Sequence, residues 1–358
     1  MLKTVEAKSY LVHIGSNEIY GKINDFLLEN NVGNRQVVIL CDENTMEYCY
    51  PLLMQNVPCL TNIEVLQIES GEENKTIEVC SQLWMALNEF KFDRKALIIN
   101  LGGGVIGDMG GFVASTFKRG IDFINIPTTL LSQVDASVGG KLGVDLGGVK
   151  NIVGLFNNPQ AVFVNTDFLE TLDGREVKSG FAEVIKHGLI YDESYFSYLE
   201  EVEPAQLNWT DIVNRSVQIK NEVVTEDPKE QGLRKILNFG HTLGHGLETH
   251  RLNTNNKLLH GEAVVVGMIA ATYLSTKKTG FNETDLNRVI QFLKTYYVLE
   301  KINEDEIDAI LSYMMNDKKN EGTEIKFVLL NKIGEASFDH TINREEIIDA
   351  INFYNSQV

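Results

Sequence analysis

KALIINLGGGVIGDMGGFVAS, residues 95–115, is the stretch that decides the fold. Its apolar run reads as a strand buried on both faces, as in a parallel sheet covered on both sides. Gly102, Gly103 and Gly104 end the strand, and helical spacing begins near Val105. Glycines at such a turn let backbone N–H groups approach an anion, and the helix N-terminus adds a partial positive charge. The turn therefore reads as a phosphate cradle for a nucleotide, with Gly107 and Asp108 just inside the helix. It is not the G-x-G-x-x-G fingerprint after a first strand. The plain alternative is a glycine turn kept only for tight packing.

Working outward, QVVILCDEN (36–44), IEVLQIE (63–69), IDFINIPTT (121–129) and QAVFVNT (160–166) read as further strands, and NKTIEVCSQLWMALNEF (74–90) as a helix. Strands alternating with helices predict an α/β unit with a parallel sheet. Asp42 closes the first strong strand, where a ribose or nicotinamide edge is met in such sheets. Beyond Thr166 the helical period takes over in REVKSGFAEVIKHGLIY, WTDIVNRSVQIKNEVV, KILNFGHTLGHGLETH, EAVVVGMIAATYLSTKK, ETDLNRVIQFLKTYY and EDEIDAILSYMMN. One hairpin, EIKFVLLNKIGEASF (324–338), interrupts them. The expected division is an α/β domain over 1–170 and a mostly helical domain over 171–358.

The 358 residues carry a formal charge of −18, which argues against sequence-independent nucleic-acid binding and against an anionic membrane surface. A small anionic substrate remains compatible, because a few local bases override the global field. No apolar run is long enough to span a membrane. The start, MLKTVEAKSYLV, lacks an export pattern, and the four cysteines show no metal spacing. A cytoplasmic protein with reduced thiols is expected.

Several constellations carry chemistry. PTTLLSQVDASVGGKLGVDLGGVKN (127–151) reads as a long glycine-rich loop in which Lys141 and Asn151 can grip a phosphate or hydroxyls, with Asp135 in the helical stretch before it. In GFAEVIKHG (180–188), Glu183 and Lys186 share a helical face among apolar residues. They are either a satisfied ion pair or a metal ligand beside a catalytic base. In LNFGHTLGHGLE (237–248), His241 and His245 stand one turn apart, so both rings lie on one face. Glu183, one of these two histidines and His260 would make the Glu/His/His set of a catalytic zinc with an open position. There is no H-E-x-x-H, so a metalloprotease is not expected. Arg234 and Asn238 precede His241 by seven and three residues, near one helical stripe.

GGGVIGD, PTTLLSQVDASVGGK, KN, GFAEVIKHG, RKILNFGHTLGH and HGEAVVVGM occur in this order, and the chain resembles the 3-dehydroquinate synthases within the sugar phosphate cyclases. The resemblance runs from about Asp42 to Lys319. It implies a Rossmann-like NAD-binding α/β domain, a C-terminal helical metal-binding domain, and an active site between them. It also implies conversion of 3-deoxy-D-arabino-heptulosonate 7-phosphate to 3-dehydroquinate and phosphate in the shikimate pathway. NAD would be reduced and reoxidised within one turnover.

Motif by motif, the resemblance implies zinc, or cobalt in its place, on Glu183, His241 and His260. His245 would face the substrate phosphate together with Lys141, Asn151 and Asn238. Arg234 would grip the carboxylate of this anionic sugar phosphate acid. Arg119 would reach the phosphate from the neighbouring subunit of a homodimer. Asp135, Lys186, Lys220 and Glu230 would contact hydroxyls, and one of Lys318 and Lys319 would complete the pocket. NAD would meet Asp42, Asn44, Glu72, Lys75, Gly103, Gly104, Asp108, Thr128, Thr129 and Lys150. Two features depart from the family pattern: a long segment, GLETHRLNTNNKLL, between His245 and His260, and KLGVD (141–145) where many relatives have KTGVN. Rival readings are a 2-deoxy-scyllo-inosose synthase, which tends to carry glutamate at the position of Asn238, a metal-dependent polyol dehydrogenase, and a non-enzymatic nucleotide-binding regulator.

Overall fold

A computed structural model describes residues 1–147, 149–203, 206–252, 254–316 and 325–358. The chain forms two compact units, Met1–Asp173 with Asn208–Asn221, and Gly174–Leu207 with Glu222–Val358.

The first unit is built on a seven-stranded sheet. Its strands are β1 (Lys3–Glu6), β2 (Leu11–Gly15), β3 (Val37–Asp42), β4 (Ile63–Ile68), β5 (Leu97–Gly102), β6 (Asp122–Pro127) and, after a separate hairpin of β7 (Lys141–Leu146) and β8 (Val149–Phe156), β9 (Ala161–Asn165). The spatial order is β1-β2-β9-β6-β5-β3-β4. Only β1 runs antiparallel in this sheet. The period-2 rule assigns its two faces. Val37, Ile39 and Cys41 pack with α1 (Ile19–Glu29) and α3 (Tyr50–Asn56), which flank the short α2 (Glu43–Tyr48). Val38 and Leu40 pack with α4 (Ile77–Glu89) and α5 (Gly104–Thr116). From β3 the chain moves outward to β4, then returns past β3 to β5 and continues to β6. The winding therefore reverses between β3 and β5, and in open α/β sheets ligands bind beyond the carboxyl ends of the strands at such a reversal.

Two expectations for this unit need correction. The stretch 127–151 is not one long loop. Ser132–Ala136 forms a π-helical turn, and β7 and β8 pair with Gly143 opposite Gly154. Alternation in KLGVD places Leu142 and Val144 in the apolar cluster shared with α5, which fixes the hairpin. A single boundary near residue 170 also fails, because Asn208–Asn221 belongs with the first unit. There Thr210 Oγ1 lies 3.1 Å from Thr166 Oγ1, and Asn221 Nδ2 donates to Glu6 O at 2.9 Å.

The second unit holds α6 (Gly174–Tyr191), α7 (Glu193–Glu201), the end of α8 (Trp209–Glu226), α9 (His241–Arg251), α10 (His260–Lys278), α11 (Glu283–Tyr296), α12 (Glu304–Asn316), a hairpin of β10 (Ile325–Lys332) and β11 (Glu335–Ile342), and α13 (Arg344–Ser356). α10 is apolar nearly all round, the mark of a buried helix, and it is buried along most of its length. Its neighbours come close. A Cβ on Gly261 would lie 1.9 Å from Ser179 O of α6, and one on Gly267 would lie 1.8 Å from Gly240 O at the start of α9. The helix expected over 235–250 is broken. Leu233–Asn238 is a 3-10 turn, Gly240 turns left-handed at φ 78°, and α9 begins at His241. Arg234 and Asn238 therefore share no continuous helical stripe with His241. The segment after His245 is less loop-like than its length suggests, because α9 continues to Arg251.

Candidate active site

In the first unit, the residues assigned to a dinucleotide gather at the carboxyl ends of β3 to β6. Asp42 caps α2, accepting Thr45 N at 2.8 Å while Thr45 Oγ1 receives Asp42 N at 2.9 Å. Asn44 is exposed on that helix. Gly103 precedes α5 and Gly104 opens it, and with Gly102, Gly107, Pro127 and Ser132 they line a cleft. Thr128 N donates to Gly102 O at 3.1 Å, and Thr129 Oγ1 bonds Ser132 Oγ at 3.0 Å. Lys75 is the centre of a charged knot. Its buried ammonium donates to Asp108 Oδ2 at 2.7 Å and to Asn151 Oδ1 at 2.9 Å, with Glu72 Oε1 3.9 Å away. Burial disfavours its charge, but Asp108 and then Glu72 outweigh that, and its pKa is raised. Asn151 adopts φ 51° and is held there by its N–H donating to Asp145 Oδ1 at 2.6 Å. Asp145 N in turn donates to Lys75 O at 2.8 Å.

Asp135 pairs with Lys220, Oδ1 to Nζ, at 2.7 Å. Lys141 opens β7 on the surface, and Lys150 lies in β8. Arg119 is exposed at the end of a turn in which Lys118, Arg119 and Gly120 all have positive φ. Such strain persists only where the surroundings over-determine it.

In the second unit the centre is a carboxylate. Glu183 on α6 is fully buried and ion-paired with Lys186, whose Nζ also donates to Leu237 O at 2.8 Å. His241 Nε2 lies 3.5 Å and His260 Nε2 3.6 Å from Glu183 Oε1. Glu183 Oε2 meets the Lys186 ammonium, whereas Oε1 has no hydrogen bond among the described residues. Such a buried oxygen is costly unless a cation meets it. The imidazole nitrogens of His241, His245 and His260 converge within 4.8 Å of one another, so residue types and placement together fit a metal ion. Burial disfavours the charge of Glu183, but Lys186 and then His260 hold its carboxyl well below the usual range.

The turn before α9 carries Arg234 and Asn238. Asp227 accepts N–H bonds from Gln231, Gly232 and Arg234 at 3.0, 2.7 and 3.1 Å. Its pKa is lowered: partial burial opposes the charge and the three amides outweigh it. Arg234 is buried and donates to Pro228 O at 2.8 Å. Glu230, at φ 59°, accepts from Asn238 Nδ2 at 2.6 Å.

Family models described as 3-dehydroquinate synthase N-terminal and C-terminal match residues 65–179 and 180–320. The chain is 42% identical to the 3-dehydroquinate synthase of Parabacteroides distasonis over 340 residues, 94% of this chain and 96% of that one. The chain belongs to the 3-dehydroquinate synthase family. A solved structure of 2-deoxy-scyllo-inosose synthase complexed with carbaglucose-6-phosphate, NAD+ and Co2+ shares the fold, with a TM-score of 0.86 at 24% identity over 98% of this chain and 99% of that one. Another, 2-epi-5-epi-valiolone synthase from Streptomyces hygroscopicus subsp. jinggangensis 5008 with NAD+ and Zn2+ bound, has a TM-score of 0.85 at 25% identity over 100% of both chains.

For this member of the 3-dehydroquinate synthase family, the sequence motifs fall into three knots: Glu72, Lys75, Asp108 and Asn151; Asp135 with Lys220; and Glu183, Lys186 and the histidines. Asn151, read from the motifs as a phosphate ligand, has its side-chain oxygen on Lys75. Lys318 and Lys319 lie outside the described residues. Sequence reasoning missed Asp227, although Asp-Pro at 227–228 before Gln-Gly is a readable turn signal. It also missed Glu248, whose Oε2 lies 3.3 Å from His260 Nδ1.

Proposed function

We propose that this chain converts 3-deoxy-D-arabino-heptulosonate 7-phosphate to 3-dehydroquinate and phosphate, acting in the cytoplasm as a homodimer. The observation that carries this reading is the buried Glu183 carboxylate beside two imidazole Nε2 atoms, tied through Lys186 to the turn bearing Arg234 and Asn238. A cation site tied to a turn that carries a buried guanidinium suits a substrate with neighbouring hydroxyls and a carboxylate. In this reading Glu183, His241 and His260 would hold zinc, or cobalt in its place, and the ion would supply Lewis acidity toward the alcohol that is oxidised. The cleft at the carboxyl ends of β5 and β6 and the Lys75 knot would hold NAD, which when bound would supply a reversible oxidation of the substrate alcohol.

The remaining roles fall to the chain's own groups. Arg234 orients the carboxylate through its rigid fork. Lys141, Asn151, Asn238 and His245 bind the phosphate, joined by Arg119 from the second copy. Asp135, Lys186, Lys220 and Glu230 hold the hydroxyls, and the 2.7 Å Asp135–Lys220 pair supports a role in proton exchange with them. Together they convert an intermolecular problem into one of orientation.

The test is a coupled time course with purified protein, zinc, catalytic NAD and the heptulosonate phosphate, following phosphate and NADH together. Many turnovers of phosphate without net NADH are expected. NADH accumulating from glycerol or another polyol, with no phosphate released, would mean a dehydrogenase instead.

A further inference from the structure

We propose that Glu248 is a positioning residue for the metal centre, accepting the Nδ1 hydrogen of His260 and so leaving Nε2 as that ring's ligand atom. The inference rests on the zinc reading above. His241, His245 and Glu248 follow one another at spacings of four and three on α9, which puts all three on one helical face. Glu248 is only 8% exposed, too buried for a carboxylate that merely decorates the surface. Its Oε2 lies 3.3 Å from His260 Nδ1, while Nε2 of the same ring points to Glu183 Oε1 at 3.6 Å.

His241 is arranged in the same way. Its Nδ1 lies 3.1 Å from Phe239 O, and its Nε2 lies 3.5 Å from Glu183 Oε1. A carbonyl oxygen can only accept, so Nδ1 of His241 carries the hydrogen and Nε2 of the neutral ring presents its lone pair. An ionised carboxylate imposes the same tautomer on His260. Metal-binding histidines commonly donate their second N–H to such an acceptor, and its loss weakens metal binding about 10–100-fold. The two rings thus use different acceptors for one purpose, a backbone oxygen that no substitution removes and a side chain that one can.

The experiment compares full-length protein with Glu248→Ala, Glu248→Gln and His260→Ala. Zinc affinity is read by competition with a chromogenic chelator, NAD affinity by titration, and the melting temperature of each chelated protein controls for folding. Glu248→Ala is expected to bind zinc about 10–100-fold more weakly, with NAD affinity and the chelated melting temperature unchanged. Glu248→Gln, whose amide oxygen still accepts, is expected to stay within about threefold of the parent protein. An alanine variant that holds zinc as tightly as the parent would overturn the proposal. So would a glutamine variant as weak as alanine, which would point to charge or direct ligation rather than an accepted hydrogen bond. A parent protein that binds no zinc, or a His260→Ala variant that binds it normally, would take down the zinc reading itself.

Discussion

The two units each bury a charged cluster, and the clusters have opposite centres. In the first, a cation sits in the middle: Lys75 is surrounded by Asp108, Glu72 and the Asn151 oxygen, and Asp145 braces the ring of partners. In the second, an anion sits in the middle: Glu183 is met by one ammonium and flanked by imidazoles whose nitrogens converge. A cation already saturated by acceptors gives its neighbourhood rigidity, and a ligand must dock around it. A carboxylate with an unbonded oxygen invites a further cation. Similar residue types thus yield a scaffold in one place and a cation-attracting carboxylate in the other.

Breaking the second centre should have the largest effect. Glu183→Gln leaves Lys186 buried without its counter-charge, and the chelated protein should lose about 3–5 kcal/mol in denaturant titrations. It should also fail to retain zinc through gel filtration, and a full equivalent retained would refute the assignment. Next comes the first centre. Lys75→Met strands Asp108, and a loss of about 3 kcal/mol is expected, at the low end because the Asp108 side chain is partly exposed. NAD titration should show at least about tenfold weaker binding. Unchanged NAD affinity would make the knot purely architectural.

Asp227 probes how far the second centre depends on the turn beside it. Asp227→Ala should raise KM for the heptulosonate phosphate by roughly ten- to a hundredfold through misplacement of Arg234, with little change in melting temperature. The carboxyl of Asp227 is held below its ordinary 3.8, so its stabilisation of the turn is complete above that value and fades as pH falls through the lowered one. Parent and variant should therefore differ in turn order at neutral pH and converge only well below pH 3.8, as read by amide exchange at Gly232. The smallest effect belongs to Asp145. Asp145→Asn keeps an acceptor for Asn151 N and should leave NAD affinity within about threefold, whereas Asp145→Ala should cost about tenfold. Equal losses in both would assign the role of Asp145 to its charge.

Legibility in the sequence followed the range of the forces. The strand–glycine–helix stretch at 95–115 was readable because apolar continuity and a glycine turn act within a few residues. So was the one-turn spacing of His241 and His245. The break at Gly240 was hidden because it answers to α10, where Met268 and Val264 occupy the space a side chain would need. The β7–β8 hairpin was hidden among glycines, since what pairs it is the burial of Leu142 and Val144 beneath α5. The return of Asn208–Asn221 to the first unit left no signal in periodicity, because an amphipathic helix announces that it has a partner but not which one.

The contacts at Gly261 and Gly267 bear on how firmly His260 is held relative to Glu183 and His241. α10 carries His260 and rests directly on the peptide oxygens of Ser179 and Gly240, the residues that lead toward Glu183 and His241. Nothing compressible lies between these backbones. The spacing of the three helices is therefore gauged by main chain rather than by rotamers, and a methyl group added at either glycine would force the backbones apart.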